Sequence, residues 1–233
     1  MNGKVRHSLR LTAMLYLLDY GAGNIQSLAN SLTKLGYTYE WVREPSDISK
    51  ADKLLFPGVG SFASAMDALH AKGYVEPLRA YIQSGKPLMG ICVGMQVLFE
   101  GSDESPGVQG LGIVPARVGR FATQDAFGRK AVPHMGWSLA NVVEWDGCAD
   151  QRHELARSYG MHDSNPSHYY FVHSYRVAWD ANVAEWALTT TQYGNEIFVS
   201  SIQHANVFAT QFHPEKSGQA GLDLLAAWLR LEH

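Results

Sequence analysis

The feature that most constrains the fold is a regular alternation of two patterns in the first half of the chain. Short apolar runs predict strands, and segments with apolar residues three and four positions apart predict helices. The predicted strands are residues 14–18, 37–42, 53–56 and 87–91, and the predicted helices are residues 25–35, 61–71 and 75–84. This rhythm is typical of βαβ units. We therefore expect an α/β fold with a mostly parallel central sheet and helices on both faces.

The second half of the chain has a different residue pattern. Residues 112–139 form short segments rich in Gly, Pro and β-branched residues, and residues 144–168 form a polar, partly helical excursion. Further strands are predicted at residues 169–177, 185–191, 197–202 and 207–212, followed by an amphipathic helix over residues 217–230. The strands suggest hairpin-type pairs, and hence an added antiparallel sheet. We expect one three-layer domain over residues 14–230, with a leader or disordered segment at 1–13 and a tag remnant at 231–233.

The composition argues against several classes of function. The net charge of -3 gives no basic field for nucleic acid, and no apolar stretch reaches the ~18 residues of a membrane span. The two cysteines, Cys92 and Cys148, make no disulfide framework, so a reducing compartment, the cytoplasm, is expected. A basic start with Lys4, Arg6 and Arg10 leaves a plastid as the alternative. No Cys/His cluster has metal-ligand spacing, so neither a metal nor a cofactor is expected.

The sequence G-I-C-V-G at residues 90–94 places Cys92 between two glycines, directly after a predicted strand. Small neighbours allow a tight strand-to-helix turn that presents a nucleophile, and the helix N-terminus behind it favours an anionic thiolate. A cysteine beside glycines is also compatible with simple packing in a core. The pattern therefore nominates Cys92 as a nucleophile without excluding a structural role.

A thiolate nucleophile needs a base and a group that orients the base. His213 directly follows the apolar run at residues 208–212, and Glu215 lies two residues further on. A histidine at a strand end is held by the sheet yet open to a cleft, and the acid can return to the imidazole. The alternative is a turn with a surface acid.

Attack on an amide also requires donors for the developing oxyanion. The backbone N–H of Val93 is one candidate. The sequence P-G-V-G at residues 57–60 follows the third predicted strand and can supply another from Gly58 or Val59. An ordinary strand-to-helix turn would have the same sequence.

Longer motifs resemble the class I (triad) glutamine amidotransferases, and within them the glutaminases of imidazole glycerol phosphate synthase. The matching motifs are L-D-Y-G-A-G-N-I-Q-S-L, L-F-P-G-V-G-S-F, G-K-P-L-M-G-I-C-V-G-M-Q-V-L-F-E, V-P-H-M-G-W, Y-Y-F-V-H-S-Y and F-A-T-Q-F-H-P-E-K-S-G. The resemblance spans about residues 15–230. One departure is Ser138, where the family usually has Asn after P-H-M-G-W.

The resemblance implies a flavodoxin-like α/β fold and a role for each matching residue. It implies Cys92 as nucleophile, His213 as general acid/base and Glu215 as its orienting group, with an oxyanion site of Gly58, Val59 and the Val93 amide. It implies glutamine binding by Gln96, Glu104, His173, Ser174 and Tyr175, and a partner-facing Lys216.

The implied reaction is glutamine hydrolysis with delivery of ammonia to a (β/α)₈ synthase partner. Such a barrel needs about 250 residues of its own, so it would be a separate subunit or a fused domain. The E-K-S-G ending and the D-Y-G-A-G-N start favour this member over the triad amidotransferases of anthranilate, GMP, CTP and pyridoxal phosphate synthesis. A stand-alone γ-glutamyl cysteine hydrolase and a catalytically idle regulatory module remain the rival functions.

Overall fold

The computed structural model describes residues 13–21, 25–126, 128–144, 149–161 and 167–231. The expected leader at residues 1–13 and tag remnant at 231–233 therefore lie almost entirely outside the described residues, as does Cys148.

The first half of the chain alternates strands and helices as its sequence predicts. The strands are β1 (Leu15–Leu18), β2 (Glu40–Val42), β3 (Lys53–Gly58) and β4 (Leu88–Cys92), and the helices are α1 (Gln26–Lys34), α2 (Pro45–Lys50), α3 (Phe62–Ala71) and α4 (Val75–Gln83). Helix α2 was not predicted. It is only six residues long and buries Ile48, too little for a periodic pattern, although Pro45 and a capping box between Glu44 and Asp47 start it.

The rest of the described chain is richer in strands. It contains α5 (Val93–Gln96), β5 (Phe99–Ser102), β6 (Val114–Arg120), β7 (Gln124–Asp125), β8 (Gly128–Arg129), β9 (His134–Leu139), β10 (Asn141–Val142), α6 (Ala149–Ser158), β11 (His168–His173), β12 (Tyr175–Arg176), β13 (Ala187–Tyr193), β14 (Glu196–His204), β15 (Val207–Thr210) and α7 (Gly218–Arg230). Two 3₁₀ helices cover Ala181–Val183 and Pro214–Lys216.

The central sheet has the strand order β10-β13-β14-β15-β4-β3-β1-β2. Strands β2, β1, β3, β4 and β15 are parallel to one another, whereas β14, β13 and β10 continue the same sheet in antiparallel pairing. A separate antiparallel pair is formed by β9 and β11. The expected α/β class, with a mostly parallel sheet and an antiparallel addition, is thus confirmed.

Strand β15 departs from its predicted role as one arm of a hairpin. It pairs with β14 on one side, but on the other side it lies parallel to β4, with Thr210 opposite Ile91. All four residues of β15 are buried, so the run shows no alternation that could reveal its partners. The pairing brings the chain that follows β15 alongside the end of β4, where Cys92 lies.

The strand order also places the helices. The crossover from β1 to β2 runs toward one edge of the sheet, while those from β2 to β3 and β3 to β4 run the opposite way. Right-handed crossovers therefore put α1 on one face and α2, α3 and α4 on the other. Contacts of α2 with α4, and of α1 with the Pro214–Lys216 turn, agree with this placement.

The core lies between the sheet and these helix layers. Helix α7 packs its apolar stripe there through Leu224, Leu225 and Trp228, and its C-terminal carbonyls receive the buried ammonium group of Lys53. A cation at this end satisfies orphan carbonyls and complements the helix dipole. None of the helices in the described part of the chain is long and apolar enough to cross a membrane.

Candidate active site

Cys92 is the last residue of β4 and has an unusual backbone conformation, with φ 55° and ψ -108°. Residues other than glycine rarely adopt positive φ, and such strain concentrates at functional sites. The geometry matches the nucleophile elbow that the sequence predicts. Helix α5 behind it is only one turn long, Val93–Gln96, so the helix dipole that favours an anion is weaker than the sequence suggested.

The glycines around Cys92 are required by close packing rather than by special dihedral angles. A Cβ atom on Gly94 would lie 1.9 Å from the Phe56 carbonyl oxygen, and one on Gly90 would lie 2.8 Å from the Gly94 carbonyl oxygen. Their φ values are not positive; the strained residue of the turn is Cys92 itself. Small residues therefore let the elbow lie directly against β3.

His213 and Glu215 form a buried pair beside Cys92. The His213 Nδ1 atom lies 2.8 Å from Glu215 Oε1, and because a carboxylate can only accept, Nδ1 carries a proton. Cys92 is close enough to His213 to act electrostatically on the imidazole. Burial lowers the pKa of His213, but the Cys92 thiolate and Glu215 outweigh burial and raise it to about 10. The imidazole of His213 is therefore held in its protonated form beside Cys92.

The predicted oxyanion loop runs along the cleft beside Cys92. Val59 and Val93 line the cleft, whereas Gly58 lies behind them, where a Cβ atom would be 2.6 Å from the Tyr20 hydroxyl oxygen. That hydroxyl is buried near the Val59 amide without completing an ordinary hydrogen bond in the described structure. Burial raises the pKa of Tyr20, as does the Cys92 charge, and the Val59 amide opposes them. Tyr20 therefore stays neutral and supports the loop from behind.

A cleft of about 500 Å³ opens in front of Cys92. The predicted residues that line it are Val59, Cys92, Val93, Gln96, Glu104, His173, Ser174, Tyr175, His213, Glu215 and Lys216. The structure therefore brings together every predicted site residue except Gly58, which lies one layer deeper. Lys216 is exposed at the rim, where it is accessible to a partner.

The polar side chains of the cleft are held by specific contacts. Gln96 Nε2 donates to the Tyr175 carbonyl and to Gln211 Oε1, both at 3.0 Å. Glu104 Oε2 accepts the Phe62 amide, 2.8 Å away, at the first turn of α3. A carboxylate at a helix N-terminus is electrostatically stabilised, so this contact holds the Glu104 side chain at the cleft wall.

Three further residues at the site have no role that the sequence predicts: Gln211, His134 and Tyr20. Gln211 is fully buried and its Nε2 atom lies 3.7 Å from Cys92 Sγ. The Nδ1 atom of His134, on β9, lies 3.4 Å from the Nε2 atom of His173, on β11. A signal for Gln211 was available, because a buried amide inside the apolar run F-A-T-Q-F requires partners.

The structure brings Cys92, His213 and Glu215 together in one cleft at the end of the parallel strands, as the sequence predicts. The sequence matches the family described as glutamine amidotransferase class-I over residues 16–229, so the chain belongs to that family.

Individual relatives show which enzymes within this family the chain is similar to. The chain is 47% identical over 218 residues to imidazole glycerol phosphate synthase hisHF of Emericella nidulans, covering 92% of this chain and 37% of that protein. It is 42% identical to imidazole glycerol phosphate synthase subunit HisH of Syntrophotalea carbinolica, covering 91% of this chain and 97% of the subunit. A chloroplastic hisHF of Arabidopsis thaliana is 44% identical, and the chain covers 35% of it. The chain thus spans little more than a third of the hisHF relatives and nearly all of the HisH subunit.

Solved structures support the fold at lower identity. A glutamine amidotransferase crystal structure superimposes with a TM-score of 0.64 at 20% identity, covering 92% of this chain and 98% of that one. PurLQS from Thermotoga maritima gives a TM-score of 0.65 at 16% identity, covering 94% of this chain and 98% of that chain. These similarities establish the shared architecture.

Proposed function

We propose that the chain is the glutaminase of an imidazole glycerol phosphate synthase. It hydrolyses L-glutamine to L-glutamate and transfers the ammonia to a (β/α)₈ synthase partner. The observation that carries the proposal is the strained Cys92 beside the His213–Glu215 pair, in a cleft that also holds Gln96 and Glu104. The HisH and hisHF relatives supply the identity of the partner reaction.

The first half-reaction begins at the Cys92 sulfur. The thiolate attacks the side-chain amide carbon of glutamine, and the amides of Val59 and Val93 stabilise the oxyanion. His213 gives its proton to the leaving nitrogen, so ammonia departs and a glutamyl thioester remains. A raised pKa suits this role, because the imidazole is protonated when the leaving group needs the proton.

Water completes the cycle. His213, now neutral, takes a proton from water as the oxygen attacks the thioester carbonyl carbon, and collapse of the intermediate releases glutamate and the Cys92 thiolate. Glu215 stabilises the imidazolium that forms again. The Glu104 carboxylate at the cleft wall attracts the α-ammonium group of glutamine.

Ammonia must reach its acceptor without being protonated in bulk water. A partner that covers the cleft mouth meets this requirement, and we propose that the exposed Lys216 contacts it. We propose the cytoplasm as the compartment, with a plastid as the alternative suggested by the chloroplastic relative. Fractionation of the source cells would decide between the two.

The test is glutamate release from glutamine by the purified chain, alone and with a purified (β/α)₈ synthase domain and its nucleotide substrate. Strong release in the complex, abolished by Cys92→Ala, is the expected result. Equal release by the isolated chain would instead indicate a stand-alone hydrolase, and no release under any condition would indicate an idle regulatory module.

A further inference from the structure

We propose that Gln211 is an additional catalytic residue, whose side-chain amide donates a hydrogen bond to the Cys92 sulfur and holds it as a thiolate. The proposal rests on the nucleophilic role of Cys92 in the proposed function. The Nε2 atom of Gln211 lies 3.7 Å from Cys92 Sγ, within the range of an N–H···S contact.

Sheet topology places the amide at the sulfur. Strands β15 and β4 run parallel with Thr210 opposite Ile91. The next residues along the two strands, Gln211 and Cys92, therefore lie side by side at the carboxyl end of the sheet. Gln211 is fully buried and Cys92 is 5% exposed. An anion with so little access to water needs donors from the protein.

The orientation of the Gln211 amide follows from its neighbours. The Tyr175 carbonyl can only accept, so the Gln96 atom facing it must be the amide nitrogen. That nitrogen also contacts Gln211, so the Gln211 atom facing Gln96 is the oxygen. The Gln211 nitrogen is therefore directed at the sulfur rather than the oxygen, which would repel a thiolate.

Two histidines, His173 and His134, extend this hydrogen-bond network from the Tyr175 carbonyl to Ser138. His173 Nδ1 donates to the same Tyr175 carbonyl at 2.8 Å, which leaves His173 Nε2 to accept from His134 Nδ1 at 3.4 Å. His134 Nε2 then accepts from the Ser138 hydroxyl at 3.0 Å. Because every member has a defined donor and acceptor, the carbonyl that orients Gln96 is itself held in place.

Gln211 complements His213 rather than duplicating it. His213 transfers its proton to the leaving nitrogen, so its positive charge is absent during part of the cycle. An amide donor keeps its hydrogen throughout. The Gln211 amide therefore remains a donor to the sulfur throughout, and it acts together with the re-formed imidazolium when the second intermediate collapses and the charge returns to the departing thiolate.

The test measures the pH profile of Cys92 alkylation by iodoacetamide on the full chain, without glutamine or a partner. A Cys148→Ser background leaves Cys92 as the single reactive thiol. The variants are Gln211→Met, which removes the donor, and Gln211→Glu, which keeps an oxygen for Gln96 but puts an anion at the sulfur. Gln203→Met on the neighbouring strand β14 is the matched control.

Removal of one donor to a charged acceptor should move the alkylation midpoint upward by about one pH unit, a tenfold loss of thiolate near neutral pH. Gln211→Glu should move it at least as far, and Gln203→Met should leave it in place. An unmoved midpoint in Gln211→Met would overturn the proposal. A shift in Gln211→Met with a normal profile in Gln211→Glu would also overturn it, because Gln211 would then only orient Gln96.

Among the residues that the structure describes, the other titratable groups that line the cleft or lie behind it are the same in wild type and variants. They are Tyr20 at the end of β1, Glu104 after β5, His173 and Tyr175 on β11 and β12, and His213, Glu215 and Lys216 after β15. A difference between the profiles therefore reports the Gln211 amide.

A second measurement needs no substitution of Gln211. The side-chain NH₂ resonances of Gln211, followed by NMR in wild-type protein with Cys92→Ser for comparison, should shift in step with the alkylation profile. Resonances that do not respond to the state of the thiol would contradict the proposal even if the Gln211 variants failed to fold. Because neither readout involves glutamine turnover, failure of the proposed glutaminase function would be recognised separately.

Discussion

Two histidines of the same cleft, His213 and His173, are both buried, but their pKa values are shifted in opposite directions. The pKa of His213 is raised to about 10, whereas burial, helped by the charges of neighbouring histidines and Arg176, lowers the pKa of His173 to about 3. His213 has Cys92 and Glu215 as anionic neighbours. The ring nitrogens of His173 instead meet a carbonyl and another imidazole.

The contrast shows that burial alone does not set the charge of a histidine. An anion within hydrogen-bonding distance overcomes the cost of desolvation, and neutral partners leave that cost uncompensated. The cleft therefore contains one histidine suited to proton transfer and one that acts as a neutral structural element. Changes to either set of partners test this division.

The largest effect should come from removing the anionic partner of His213. Glu215→Gln keeps the size of the side chain but not its charge, so the pKa of His213 should fall and the imidazolium should be less stable. We expect glutamate release by the complex to decrease by roughly 10²- to 10⁴-fold, as for the orienting acid of other triads. Steady-state kinetics with the synthase partner would measure it.

A matched control uses the exposed pair formed by Glu185 and His204, 3.7 Å apart. Glu185→Gln removes a carboxylate beside a histidine in the same way but far from the cleft, and it should leave glutamate release unchanged. Retention of full activity in Glu215→Gln would show that His213 does not depend on its carboxylate.

Much of the fold could be predicted because the first half repeats a simple pattern. Strand and helix periods alternate there, and the right-handedness of crossovers then assigns each helix to a face of the sheet. The partners of β15 could not be predicted, since a short and uniformly buried strand has no polar face that shows its neighbours. Helix α2 has no predicted counterpart, and the sequence does not show that α5 is only four residues long, because one or two turns show no periodicity.

The residues of the candidate site likewise fall into those that the sequence predicts and those that it does not. Cys92, His213 and Glu215 lie in local motifs whose chemistry is visible in the sequence. Gln211, His134 and Tyr20 acquire their contacts only through pairing between strands that are distant in sequence. Such contacts follow from register, and the register of β15 with β4 and of β9 with β11 was not predictable from residue patterns.

The next effect concerns stability in acid and the neutral pair of His134 and His173. Their folded-state pKa values, about 4 and about 3, lie below the unfolded value of 6.5. The unfolded chain therefore binds protons first, so stability is intact above pH 6.5 and falls as the pH drops toward the folded values. Between pH 7 and pH 5 each histidine should cost on the order of 1 to 2 kcal/mol.

Urea unfolding at pH 7 and at pH 5 would measure this loss. His173→Asn retains a donor for the Tyr175 carbonyl but does not titrate, so the difference between the two pH values should shrink by the contribution of one histidine. Phe171→Leu, which alters the ring stacked on His134, should lower stability equally at both pH values. An undiminished acid loss in His173→Asn would mean that His173 is not buried in its neutral form.

The smallest effect is expected at Ser138, the outermost member of the histidine chain. Its hydroxyl donates to His134 Nε2 at 3.0 Å, but the residue is only partly buried, so water can replace it in Ser138→Ala. We expect a loss of about 0.5 to 1 kcal/mol in urea unfolding and less than about a threefold change in glutamate release. Ser138→Asn, which supplies an amide donor of greater reach, should restore the stability. If Ser138→Ala instead reduced glutamate release as severely as Glu215→Gln, the neutral histidines would control the chemistry, and the division between His213 and His173 would not hold.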